Sequence, residues 1–206
     1  DAVGESPFLA NATKYSEKNL ILGLTNEKII NKVEGFTPDV VMITSMFSPD
    51  WLILRDLAEK LRTAFPKSIL IGGGEHFSAM PEYSLQNSEF DCVVLGEGEE
   101  TIREITEDII NGDFGNRAIF GSVIKTKKGL LTGEKRARVR KLDSIPWPAW
   151  EFFDVNTMLD NGIGNTSNEI SGIRPMPLNA TRGCPYKCTF CSNPQMWGTL
   201  WRARSP

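Results

Sequence analysis

No apolar run in this 206-residue chain approaches the roughly 18–20 residues needed to cross a bilayer. The N-terminal stretch DAVGESPFLA lacks the basic region and apolar core of a secretory signal, so the expected compartment is the cytoplasm. Nor is there a surplus of positive charge: 23 Lys and Arg stand against 26 Asp and Glu, for a net charge of -3. That balance gives no electrostatic case for nucleic acid or an anionic membrane as partner. Cysteine is scarce, at four, and three of these sit within eight residues, which is not the dispersed even set of a disulfide scaffold. No internal repeat or low-complexity run is present. With 40% hydrophobic and 24% charged residues the chain reads as globular, and its length suits one complete unit and a fragment of a second.

Little can be read before Thr25. From there NEKIINKVEG predicts a short helix capped by Thr25 and ended by Gly35, followed by a buried strand over Val40 to Thr44. SPDWLILRDLAEKLRTAF places Trp51, Leu54, Ala58, Leu61 and Phe65 at helical spacing, with Ser48 as a cap, Pro49 at the start and Pro66 closing the helix. A short strand over Ser68 to Ile71 runs into Gly72-Gly73-Gly74, and EHFSAMP reads as a loop before a short helix at Glu82 to Gln86. A third apolar strand, Asp91 to Leu95, leads through GEGEE into a helix over Glu99 to Ile110. AIFGSVIKTKKGLLTG is read as an antiparallel hairpin at the sheet edge, and KLDSIPWPAWEFFDV as a linker packed down by its aromatics. Asp160 to Gly172 is polar and glycine-rich and is expected to be a mobile loop.

Alternation of strand, loop and helix predicts a doubly wound, Rossmann-like parallel α/β sheet, whose ligands bind outside the carboxyl ends of the strands. Three loops lie at that edge: Ser45 and Met46; Gly72, Gly73 and Gly74 with His76; and Gly96, Glu97 and Gly98 up to Glu99. Glycine after a strand can simply turn the chain, but three such loops on one rim favour a ligand site.

Cys184, Cys188 and Cys191 form C-x3-C-x2-C on a loop. Closed structural zinc needs a fourth ligand, for which the candidates are Cys92, in a buried strand, and His76. A cubane iron–sulfur cluster held by only three cysteines leaves one iron open, the mark of a catalytic rather than a structural site.

This stretch resembles the radical S-adenosylmethionine superfamily, whose signature has an aromatic residue before the last cysteine, here Phe190, and whose first barrel strand corresponds to Asn179-Ala180-Thr181-Arg182-Gly183. PDVVMITS, IGGGEHFSAMPE and DCVVLGEGEET are similar to the cobalamin-binding domain that precedes the radical domain in one subclass. The resemblance implies a [4Fe-4S] cluster on the three cysteines, S-adenosylmethionine on the open iron with Phe190 near its adenine, and cobalamin lined by the three rim loops. It implies residues 1–140 as the cobalamin-binding-type domain, 141–174 as linker and 175–206 as the first strand and cluster loop of a truncated β/α barrel. One departure is that no Asp-x-His-x-x-Gly stretch offers a histidine to cobalt; His76 either touches the cofactor or caps a loop.

The activity so implied is methyl transfer to an unactivated carbon of a small molecule or peptide, fed by a donor such as flavodoxin or ferredoxin. The fragment alone is expected to be inactive. Alternatives are oxidative cyclisation or rearrangement, or a corrinoid-binding module without catalysis. Glu97, Glu99 and Glu100 are read as complementing a helix dipole, and the basic run from Glu134 to Lys141 as a solvated face.

Overall fold

The structure, a computed structural model, describes residues 12–14, 20–22, 24–33, 35–160 and 178–206. β1 (Ala12–Lys14) and β2 (Leu20–Leu22) form a short antiparallel pair. Helix α1 (Asn26–Val33) starts where expected: the Lys28 N–H donates to the Thr25 hydroxyl at 3.3 Å.

The apolar runs become β3 (Val40–Thr44), β4 (Ile69–Gly73) and β5 (Cys92–Val94), paired in parallel with Val40 opposite Ile69 and Ile71 opposite Cys92. The hairpin β6 (Ser122–Thr126) and β7 (Gly129–Thr132) adds two antiparallel strands at the β5 edge, giving the order β3-β4-β5-β6-β7. Side chains alternate across the sheet, so neighbours in sequence enter different cores. Leu70, Val93 and Val123 pack with Trp51, Leu57, Ala58 and Leu61 of α2 (Trp51–Ala64). Ile71, Cys92, Val94 and Ile124 pack on the other face with Ile105 of α5 (Glu99–Asn111). Helices thus cover both faces, as the alternation of elements predicts.

Four local readings are corrected. EHFSAMP is not a loop but helix α3 (Glu75–Ala79), separated from α4 (Pro81–Gln86) only by Met80. Five residues are too few to display a helical period, and Gly74, at φ 95°, makes the turn into them. Phe77 of α3 is fully buried and meets Phe90 edge-on at 4.9 Å; burying such a ring contributes about 1.5–3 kcal/mol. Ser48 does not cap α2: it sits in a 3-10 turn, Ser48–Asp50, and its hydroxyl lies 3.0 Å from His76 Nδ1.

The linker is held only in part by its aromatics, through Arg204 stacked 4.2 Å over Trp147 and Trp150 against Phe153. Trp147, Phe152 and Phe153 are exposed, and the anchors are the buried Leu142 and Ile145. Two 3-10 turns, Leu142–Ser144 and Trp150–Phe152, and α6 (Val155–Asp160) follow one another. Asp160 closes α6, and the expected loop after it lies outside the described residues. The fourth correction concerns the basic run, which is solvated only in part: Glu134, Lys135, Arg140 and Lys141 are exposed, but Arg136 is half-buried against Glu104 and Thr101, and Arg138 stacks 5.1 Å over Trp197. Beyond the linker come β8 (Thr181–Arg182), α7 (Asn193–Met196) and β9 (Arg202–Ala203), with β8 and β9 antiparallel. Among the described residues no helix is long and apolar enough to cross a membrane.

Candidate functional site

The carboxyl ends of β3, β4 and β5 face the segment 179–197 across a cleft of about 390 Å³. Met46, Gly74, Gly96, Glu97 and Gly98 line it from the sheet side, and Asn179, Arg182, Gly183 and Trp197 from the other. A second cavity of about 580 Å³ shares Gly96 and Glu97 and runs under Lys135 to Arg138 towards Met196.

The expected rim residues take distinct positions. Ser45 is buried; its N–H donates to the Gly73 carbonyl at 2.8 Å and its hydroxyl to the Phe47 carbonyl at 3.1 Å. Met46 is exposed at the mouth. A Cβ on Gly72 would stand 2.5 Å from the Phe77 ring, one on Gly74 2.4 Å from the Ser45 carbonyl oxygen, whereas one on Gly73 would meet nothing within 4 Å. Only Gly73 therefore leaves backbone open to an approaching group. Gly96 has φ 68° and lies against Arg138, and Gly98 packs on Val94. His76 is 3% exposed, stacked on Trp51 at 4.9 Å, and burial pushes its pKa down. It packs among aromatics and does not line the cleft.

Glu97, read as a dipole complement, is an ion-pair centre. Its Oε2 accepts from the Val139 N–H and from Arg202 Nη1, both at 2.9 Å; its Oε1 lies 2.6 Å from Arg202 Nη2 and 3.8 Å from Arg182 Nη1. The side chains of Glu97 and Arg202 are both 4% exposed. Burial alone would raise the Glu97 carboxyl, but the hydrogen bonds from Arg202 and Val139 and the nearby guanidinium charges outweigh it and hold it below its usual value. Glu99 pairs with Arg182 at 2.6 Å, and Glu100 with Arg103 at 3.1 Å. Arg182 and Arg202, and Trp197 Nε1, which donates to Glu75 at 2.5 Å, were missed because their partners lie over 80 positions away. The one available signal was the opposite charge of GEGEE and of Arg182 and Arg202.

The three cysteines of the triplet are free thiols, Cys184 and Cys191 half-buried and Cys188 exposed. The Cys191 N–H donates to the Cys188 carbonyl at 3.1 Å, which turns the loop, and Phe190 at the turn is 91% exposed. Among the described residues no three His, Cys, Asp or Glu side chains are gathered around one metal-sized point. In the donor set itself the three thiols suit a cubane, which takes its thiolates on separate irons and not on one centre. Cys92 is no fourth ligand. It is buried in β5, and burial pushes its thiol up to about 12.

Residues 9–106 match the family model of the B12 binding domain. The chain is 26% identical to cytidylyl-2-hydroxyethylphosphonate methyltransferase of Streptomyces wedmorensis, over 100% of this chain and 42% of the relative. It is also 26% identical to anaerobic magnesium-protoporphyrin IX monomethyl ester cyclase of Cereibacter sphaeroides, over 97% of this chain and 32% of the relative. The solved structure of the cobalamin-dependent S-adenosylmethionine radical enzyme OxsB, with aqua-cobalamin and S-adenosylmethionine bound, superposes with a TM-score of 0.67 at 20% identity, covering 89% of this chain and 24% of that one. The chain thus spans less than half the length of the curated relatives it matches.

The sheet is of Rossmann-like α/β fold, and over residues 9–106 the chain is similar to the B12 binding domain. With C-x3-C-x2-C set downstream of it, the chain is similar to the cobalamin-dependent radical S-adenosylmethionine enzymes among these relatives.

Proposed function

We propose that this chain is the cofactor-bearing part of a cobalamin-dependent radical S-adenosylmethionine enzyme that methylates an unactivated carbon of a small molecule. The observation that carries this is the cleft: it sets the glycine-bearing rim of a B12-binding domain opposite the strand that leads into the cysteine triplet. Cys184, Cys188 and Cys191 would hold a [4Fe-4S] cluster, and Phe190, exposed beside them, would pack near the adenine of S-adenosylmethionine. Ser45, Met46, Gly72 to Gly74 and Gly96 to Gly98 form the rim that would receive cobalamin, with Gly73 the point where backbone is open. His76 supports that rim from beneath through its contact with Ser48.

When bound, these cofactors supply one-electron cleavage of S-adenosylmethionine to a 5'-deoxyadenosyl radical and a transferable methyl group, with electrons from a donor such as flavodoxin or ferredoxin. The chain's own part is to hold two cofactor sites against one cleft and so fix their orientation. Similarity to a cyclase at the same 26% identity favours oxidative cyclisation as the second reading.

The test uses the full-length parent, reconstituted anaerobically. Iron, acid-labile sulfide and cobalamin are expected together, with 5'-deoxyadenosine formed and labelled methyl transferred from S-adenosylmethionine. Deoxyadenosine without methyl transfer would move the assignment to cyclisation or rearrangement, and cobalamin without iron would reduce the chain to a corrinoid-binding module.

A further inference from the structure

Arg182 and Arg202 stand directly opposite each other in the β8–β9 register. Like charges facing across a strand pair destabilise it, and each of these strands is only two residues long. The pair therefore needs help from outside. It comes from the loop between β5 and α5 and from the first residue of α5: Glu97 meets Arg202 at 2.6 Å and Arg182 at 3.8 Å, and Glu99 meets Arg182 at 2.6 Å. Two carboxylates balance two guanidinium groups.

This balance reaches the cysteine loop directly, since Arg182 stands two residues before Cys184. Gly183 between them has φ 82°, and a Cβ there would lie 2.0 Å from the Leu200 carbonyl oxygen, so the turn into the loop is packed against the segment that enters β9. The other flank is tied independently: Trp197 donates to Glu75 of α3 at 2.5 Å and lies 5.1 Å under Arg138, whose guanidinium also bonds the Met196 carbonyl.

We propose that Glu97 and Glu99 are positioning residues: by neutralising Arg182 and Arg202 they order the β8–β9 pair on the rim and set the separation between the corrinoid and cluster sites. The separation rests on the cofactor assignments above, whereas the ordering of the pair does not. Neither carboxylate needs to touch a cofactor, because both are already engaged by arginine.

Two measurements test it. Amide hydrogen exchange on the cofactor-free chain compares Glu99→Gln, at a half-buried site, with Glu97→Gln, at a buried one. Exchange over residues 181–191 is expected to rise about tenfold in Glu99→Gln, with β3, β4 and β5 unchanged. No rise at 181–191, or an equal rise throughout the sheet, would overturn the proposal, and Glu99→Gln decides this even if Glu97→Gln does not fold. The second measurement loads the chain anaerobically with iron, sulfide and hydroxocobalamin, reduces it, and reads the cobalt-to-cluster distance by pulsed dipolar spectroscopy. The wild-type distribution is expected to be single and narrow and the Glu99→Gln distribution broad at unchanged iron and cobalamin content. An unchanged distribution would refute the positioning role. Failure of the wild-type chain to load either group would instead count against the proposed function and leave the exchange result standing.

Discussion

Gly72, Gly73 and Gly74 are three identical letters with three different neighbours. The first makes room for the Phe77 ring, the second faces open space and the third crosses the Ser45 carbonyl at positive φ. Alanine in place of Gly74 is expected to cost about 1–3 kcal/mol, read as a lower denaturant midpoint. Alanine in place of Gly73 is expected to leave stability within about 1 kcal/mol of wild type while weakening cobalamin retention about tenfold, because a methyl group would occupy the open approach. Equal behaviour of the two variants in either measurement would contradict this division. A glycine-rich rim was legible in the sequence; the division was not, since it depends on Phe77 entering a helix that was read as a loop. His76 was legible only as a rim residue, because burial among Trp51 and Phe77 appears once the chain folds back on itself.

At the scale of elements, β3 to β5 were readable as apolar runs and the long helices by their period, while β1 and β2 were not read. The docking of GEGEE on β8 and β9 was not, since opposite charges far apart in a sequence do not say which will meet. That docking has a defined pH response. The Glu97 carboxyl is held below its usual value by Arg202, by the Val139 N–H and by Arg182, against the opposing effect of burial. Its contribution to stability is therefore complete above the unfolded value of about 4.3 and is lost only as pH falls through the lower folded value. Amide signals of residues 181–183 and 202–204 are expected to hold their positions down to about pH 4 and to move below it. In Glu97→Gln this transition is expected to disappear. A wild-type transition well above about pH 5 would mean that the carboxyl is raised, not lowered.

For the whole molecule, the likeness of the N-terminal half to a B12 binding domain could be read from motifs in sequence, as the match over residues 9–106 shows. What the motifs could not give is the cleft, which takes one wall from the rim loops within residues 46–99 and the other from residues 179–197. Its two proposed cofactor sites stand on separate elements, the rim on β3 to β5 and the thiols after β8. Cys188→Ala is accordingly expected to abolish iron incorporation while cobalamin content per chain stays at the wild-type level, by metal analysis and corrinoid absorbance. Loss of both together would show that the sites load as one.

Val139, where the chain leaves the sheet domain, and Arg202, where it comes back, share the Glu97 carboxylate, and Arg202 also donates to the Val139 carbonyl across a separation of 63 residues. The intervening polypeptide is in effect a ring closed by a non-covalent clasp. Closing a longer ring costs only about 0.6 kcal/mol for each doubling of its length. Lengthening that ring ahead of residue 179, where the cleft wall and the cysteine triplet begin, would therefore cost the clasp little, whereas a change within 179–197 would alter the cleft itself.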